Sequence, residues 1–325
     1  MRFRHHAAGL VMALLSACCF GFAGVAAKAL GQVGLEPVQA VWIRLLVSAC
    51  LLMPYAFLRR PRALRVPRPL LPAVAAYGLL AVAGAQGMFF AALSRVPVSV
   101  ALLIAYLAPI LVLLWAKCVW RRRMSWQAVV GAGLAALGLA SVVQVWTGVR
   151  LDPLGLLFAL AAACCLATYF LLSESLAGVD LLGLLVWGLA GGAIVLTPVA
   201  APWNIQWWAF TGTVEVGPWP VPVVGVVAWL VVVSTVVAYL TGMGAVRRLS
   251  SPLASVLASL EVVVSAVVAL AVLDEQLSMA QWGGMVLVLA GAFLSHQATT
   301  NSRRARETVA PRLVGKELAT ANARP

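Results

Sequence analysis

The charge pattern of an internal repeat constrains this chain more than any other feature. Residues 93 to 144 can be laid on residues 246 to 297 at a constant offset of 153, matching Ser125 to Ser278, Gly131 to Gly284, Leu134 to Leu287 and Gly138 to Gly291. The apolar segments coincide, but the loops between them do not. Arg121, Arg122 and Arg123 of the first copy stand where Asp274, Glu275 and Gln276 stand in the second. Cytoplasmic loops of membrane proteins attract Lys and Arg, so a repeat whose loop changes sign is most simply a repeat inserted upside down. A second correspondence agrees: Gly9-Leu10 through Cys18-Cys19 recurs as Gly155-Leu156 through Cys164-Cys165. The N-terminus, with Arg2 and Arg4 ahead of an apolar run and Leu15-Ser16-Ala17-Cys18 in the style of a lipoprotein cleavage box, imitates an export signal. Its recurrence in mid-chain reads instead as an uncleaved first helix, and an odd number of helices per copy inverts the second copy.

Composition fixes the medium. A chain that is 63% hydrophobic and 10% charged, with a mean hydropathy of +1.00, is a polytopic membrane protein rather than a soluble one. Apolar windows of roughly 17 to 25 residues place spans near 7–30, 37–58, 70–93, 98–117, 126–146, 153–174, 181–200, 222–245, 252–273 and 279–297. The expected fold is therefore all-α: ten transmembrane helices as two inverted five-helix repeats, at 7–146 and 153–297, followed by a disordered basic tail at 298–325. The net charge of +13 is not a nucleic-acid footprint, because the basic residues alternate between loops. With the N-terminus inside, 19 of the 23 Lys and Arg fall on the inner side, and Lys28, Arg95 and Arg150 on the outer. That bias puts both termini in the cytoplasm and the protein in the cell membrane.

The second helices of the two copies agree less sharply, with Pro54 resembling Pro198. Residues 59–68 carry five arginines, whereas 201–221 carry no Lys or Arg but include Trp203, Trp207, Trp208 and Trp219. Tryptophans of this kind anchor at the lipid–water interface. The six cysteines lie in spans or at cytoplasmic ends, where packing and not disulfides is expected, and His5, His6 and His296 do not converge in the bilayer, so no metal site is expected.

Two motifs at matching places carry a family resemblance: Leu107-Ala108-Pro109 and Leu260-Glu261-Val262, each followed by a charged loop and then Ser125 or Ser278. In these features, and over nearly all of residues 7–297, the chain resembles the EamA branch of the drug/metabolite transporter superfamily. Family members usually read Leu-Glu-Pro and Gly-Glu-Arg in the second copy. Here Val262 replaces the proline, and Leu273-Asp274-Glu275-Gln276 keeps the acid without the arginine. Arg44 also matches a common family position. The resemblance implies a central cavity between inverted repeats and transport of small metabolites, often amino acids, frequently outward.

Glu261 is the acid nearest the middle of a predicted span. An unpaired acid at that depth costs roughly 2.5 to 3.5 kcal/mol, so it must face a partner or water. It could couple proton movement to substrate, bind a substrate amine, or make a structural hydrogen bond, for example to Ser265. Arg44 could hold a substrate carboxylate, pair with Glu261, or snorkel to the headgroups. With them, the substrate-binding candidates are Gln86, Tyr106, Tyr169, Tyr239 and Ser259. Thr168, Ser234, Thr235 and Ser255 could line a cavity or bridge helices, Thr235 and Tyr239 sharing one face by their spacing and Ser251, Ser255 and Ser259 another. No phosphate loop, His-Glu-x-x-His or Gly-x-Ser-x-Gly occurs, and no nucleophile–base pair stands in the spans, so neither an enzyme nor a cofactor is expected. The favoured reading is a secondary carrier exporting an amino acid or similar solute, driven by protons, exchange or downhill flow. Its partners would be that small-molecule substrate and the lipid bilayer. A carrier of amphipathic or lipid-linked compounds, a membrane enzyme and a non-transporting scaffold are the alternatives.

Overall fold

A computed structural model describes residues 2–93, 95–96, 101, 104–121, 125–143, 152–273, 278–280, 282–291 and 293–294. Most of the sign-bearing loops (Arg122, Arg123 and Asp274 to Gln276), parts of the fourth, fifth and tenth predicted spans and the tail at 298–325 lie outside them. Six helices are long and apolar enough to cross a membrane: α1 (His6–Gly31), α2 (Pro37–Arg59), α3 (Arg68–Ala92), α6 (Pro153–Ser175), α7 (Leu181–Ala200) and α8 (Val223–Leu249). Shorter apolar helices fall between and after them: α4 (Ala108–Cys118), α5 (Trp126–Ser141), α9 (Ser251–Ser265) and α10 (Trp282–Gly291). The molecule is a multi-pass helical membrane protein. Helix starts follow local chemistry: Asp152 and Asp180 accept the first free amides of α6 and α7, and Pro37, Pro109, Pro153 and Pro252 occupy first-turn positions where no backbone donor is needed.

Close contacts reproduce the repeat in three dimensions. A Cβ on Gly9 of α1 would collide with Arg248 and Leu249 at the end of α8, and a Cβ on Gly155 of α6 would collide with Arg95 and Val96 just after α3. These are equivalent pairs in the two copies. Likewise Gly138 of α5 lies against the backbone at Gly284 and Val288 of α10, and Gly291 against the backbone at Gly131 and Ala135. The contact is reciprocal, and it runs antiparallel: early in one helix meets late in the other. Only glycine lets two backbones come this near, which is why the sequence spaces glycine identically in both helices.

Two irregularities also recur. Helices α3 and α8 each widen into a π-helical stretch, at Tyr77–Gly84 and Val232–Val237, ending at equivalent positions. A wide turn rotates every later side chain by about 100° relative to an ideal helix. Of the pair Thr235 and Tyr239, expected on one face, Tyr239 lines the cavity between the two copies and Thr235 does not. Thr235 is buried and donates to the Leu230 carbonyl at 2.8 Å, five residues back. Ser48 of α2 donates to the neighbouring Val231 carbonyl at 3.3 Å, so side chains take up acceptors near the wide turn. Equivalent turns interrupt the chain at α4 and α9: α4 is preceded by a turn at Tyr106–Leu107, and α9 is helical over Ser251–Ala258, breaks at Ser259 and resumes at Leu260, the helix continuing beyond its most apolar part to Leu273.

The all-α expectation fails at 213–222. Residues 202–211 form two short 3-10 turns, and Thr213–Val216 (β1) pairs antiparallel with Trp219–Pro222 (β2) in the register Thr213↔Pro222 and Val216↔Trp219. Alternation of Thr213, Val214, Glu215 and Val216, with Val214 buried, is a short strand signal followed by a turn glycine, Gly217 (φ +62°). The hairpin is held across the end of the bundle. Gln32 after α1 donates to the Glu215 carbonyl and accepts from its N–H, both at 2.9 Å, and Gly217 presses on the Val272 carbonyl. Trp203, Trp207, Trp208 and Trp219 are all exposed beside it.

Candidate functional site

Between the two copies lies a cavity of about 580 Å³. It extends from Ala13 and Ala245 to Gly31, Leu35 and Pro37 at the hairpin end. At the arginine-bearing end the helices close beneath it, with Gly9 against Leu249 and Met12 against Gly244. There Glu174, at the end of α6, accepts from the Ser251 N–H at 2.7 Å and from its hydroxyl at 2.6 Å, tying α6 to the start of α9.

The lining obeys the repeat. Ser16, Phe20, Ala23 and Gly24 of α1 face the cavity, and so do their counterparts Ala162, Leu166, Tyr169 and Phe170 of α6. Gln86 of α3 and its counterpart Tyr239 of α8 both line it, as do Ala105 and Ala258. The walls are mostly apolar and aromatic. Onto that surface the structure brings six of the sequence candidates, Glu261, Arg44, Gln86, Tyr106, Tyr169 and Tyr239.

Arg44 is buried in α2, not snorkelled to an outer surface. Glu261 stands in the first turn of the resumed half of α9, where free amide groups and the helix dipole favour a negative group. The Tyr106 hydroxyl is placed to donate to the Glu261 carboxyl, and the Gln86 amide lies within hydrogen-bonding reach of the Tyr239 hydroxyl. Arg44 acts electrostatically on both Glu261 and Tyr239. Arg44 and Glu261 do not form an ion pair; Arg95 and Asp152 do, at 3.0 Å on the surface at the hairpin end. The Arg44 Nε has no hydrogen-bond partner among the described residues. A guanidinium and a carboxyl therefore face one low-dielectric space, each in the other's field and with no ion pair between them.

Ser259 is placed elsewhere. It is buried away from the lining, and its hydroxyl donates to the Val256 carbonyl at 2.5 Å, where the helix breaks. The stripe expected from Ser251, Ser255 and Ser259 is likewise spent locally, on Glu174, on the Pro252 carbonyl and on Val256. Thr168 donates to the Cys164 carbonyl, and Ser234 to the Cys19 carbonyl across α1 and α8, both at 2.8 Å. Sequence reasoning missed the aromatic wall of Phe20, Phe89, Phe90 and Phe170, and it missed Ser16, which lines the cavity while donating to the Ala238 carbonyl at 2.8 Å. Apolar residues in a membrane span carry no signal of facing a cavity. The repeat correspondence was the available signal, since Phe170 and Gly24 are equivalent.

The fold and cavity define a polytopic helical protein with a buried, charge-bearing chamber. Comparison with known proteins gives its kinship. The model of the EamA-like transporter family matches residues 7–144 and again residues 153–296. The chain belongs to that family of membrane transporters. No curated protein matches the sequence. Among solved structures, 29 chains match. One of them, described as "Crystal structure of protein", superposes with a TM-score of 0.73 at 20% identity, covering 89% of this chain and 97% of that one, which shows a shared fold.

Proposed function

We propose that the protein is a secondary carrier that moves a small zwitterionic metabolite, an amino acid or related solute, outward across the cell membrane by alternating access. The observation that carries this reading is the Arg44 guanidinium and the Glu261 carboxyl facing one cavity without an ion pair between them. A zwitterion satisfies both at once, its carboxylate at Arg44 and its amine at Glu261, while aromatic walls cover its apolar part. Gln86, Tyr106, Tyr169 and Tyr239 complete the binding surface. A carboxyl in this setting binds a proton when the cavity closes and releases it when water enters, so Glu261 also serves as the coupling group. The frame is ten helices in two inverted repeats, 7–146 and 153–297, with both termini cytoplasmic; the antiparallel α5–α10 contact and the clustering of Arg59, Arg60, Arg247 and Arg248 at one end support it.

Flux of a pooled, labelled amino acid and metabolite set into proteoliposomes, with and without an imposed pH gradient, tests the reading. Wild type is expected to take up at least one compound in a gradient-dependent way, and a folded Glu261→Gln variant to lose the response. Equal, gradient-blind uptake by both proteins would make Glu261 structural. Absence of flux in both would favour lipid-linked cargo or a scaffold.

A further inference from the structure

Buried polar atoms without a hydrogen-bond partner among the described residues are not scattered through this bundle. Arg44 Nε, the Tyr169 hydroxyl and Arg247 Nε are three such atoms, and between the last two stand the buried hydroxyls of Tyr77 and Ser173, which lie within hydrogen-bonding reach of each other. Tyr239, on the cavity wall, packs on Tyr169 with ring centroids 5.8 Å apart, and Tyr169 on Tyr77 at 6.0 Å. Ser173 lies one helical turn beyond Tyr169 on α6, beside Tyr77, and Tyr77 is within electrostatic range of Arg247. The line ends at a second cavity of about 610 Å³ at the arginine-bearing end, walled by Tyr55, Arg60, Asp180, Leu240 and Arg247 among others. Folded proteins leave few buried polar groups unsatisfied, so a file of buried hydroxyls between two cavities, with unpartnered atoms at Tyr169 and Arg247, calls for a reason.

We propose that the file Tyr169–Ser173–Tyr77–Arg247 is the closed half of a polar route through the bundle, and that the arginine-end cavity is its vestibule, receiving the anionic end of a small organic solute. The inference rests on the carrier reading of the central cavity. The charges facing the vestibule favour an anion. Arg60 and Arg247 outnumber the one acid there, Asp180, whose carboxylate accepts the Leu182 and Gly183 amides at the start of α7, at 2.9 and 3.4 Å, and lies in the field of Arg247. Arg247 gives one Nη to the Leu176 carbonyl at 3.3 Å and keeps its Nε unused. The three tyrosines form the septum. Tyr77 opens the π-helical stretch of α3 and lies against Gly188 of α7, where a Cβ would strike its ring, while Gly78 faces the Gly188 backbone. A contact built from glycine on both sides lets α3 slide on α7 and carry the ring aside.

Thiol accessibility tests this without knowledge of the substrate. Ser173→Cys changes one atom at a fully buried site, and Leu184→Cys, equally buried in α7 but off the file, is the reference. Full-length protein in proteoliposomes, sorted by orientation, is treated from each side with anionic sulfonatoethyl or cationic trimethylammonium-ethyl methanethiosulfonate, and the native cysteines of wild type give the background. The Ser173→Cys variant should react from the arginine end, roughly tenfold faster with the anionic than with the cationic reagent, a ratio that Arg247→Gln should reduce. If the Ser173→Cys thiol is as inert as that of Leu184→Cys from both sides, the route is refuted; if it reacts without charge preference, the anionic vestibule is refuted. Tyr77→Cys replaces Ser173→Cys should the latter not yield monodisperse protein. Labelling without metabolite flux would leave the route standing and sink the zwitterion carrier, whereas flux with an inert Ser173→Cys thiol would do the reverse.

Discussion

Helices α4 and α9 break at equivalent points, yet α4 brings Tyr106 and Ala108 there while α9 brings Ser259 and Glu261. Ala108 is fully buried, whereas Glu261 faces the cavity. The other charge is also unmatched: aligning Pro54 with Pro198 sets Gly188 opposite Arg44, and Gly188 serves to admit the Tyr77 ring. Backbone breaks, wide turns and glycine crossings are shared by the two copies, and the charges are not. A duplicated frame supplies a cavity between its two copies, and single-copy substitutions give that cavity a guanidinium and a carboxyl.

The frame's symmetry is the easiest half of this comparison to break. Gly138→Leu and Gly291→Leu each force a side chain into the facing backbone, and both should lower stability by about 3 kcal/mol, the upper end of overpacking costs. Thermal unfolding in detergent reads this. Equal losses at the two sites fit a reciprocal crossing, and a loss at one alone would dissolve it.

The chemical asymmetry calls for a paired substitution at the helix breaks. Tyr106→Phe removes a donor to Glu261 and should reduce flux about tenfold, the worth of a hydrogen bond to a charged group. Ser259→Ala removes a hydroxyl used only on Val256 and should leave flux within about twofold. If both variants lose flux equally, the break itself, and not the cavity face, governs transport.

The smallest effect belongs to the hairpin-end surface. Asp152 accepts the Leu154 amide and the Arg95 guanidinium, and these hold its carboxyl below the usual range. Because the folded value is the lower one, its contribution is present above the unfolded value of about 3.9 and is lost as pH falls through the folded value. Asp152→Asn, which keeps the helix cap, should therefore lose less melting temperature than wild type between about pH 5 and pH 3. Parallel melting curves would separate Asp152 from the acid response.

Much of the frame was legible because it is written in periodicity and in repetition. The six long apolar helices fall where apolar windows mark spans, and Gly131, Gly138, Gly284 and Gly291, matched between the copies, lie at the α5–α10 crossing. The hairpin at 213–222 was hidden by its length: four-residue strands in a Trp-rich loop read as interfacial anchors. Thr235 turns its hydroxyl to the Leu230 carbonyl within the wide turn, and no residue type announces such a turn. Ser259 was misjudged because a serine at a helix break has a nearer acceptor than any substrate.

The sequence by itself determined the medium, the duplication and the kind of residue at each depth, since burial of apolar surface and loop charge act locally along the chain. Tertiary structure alone decided which polar groups share a space. Arg44 and Glu261 are separated by more than 200 residues, and their meeting in one cavity without an ion pair depends on how α2 and α9 pack around that cavity. That arrangement is set by close backbone contacts, which the identity of a glycine permits but does not aim.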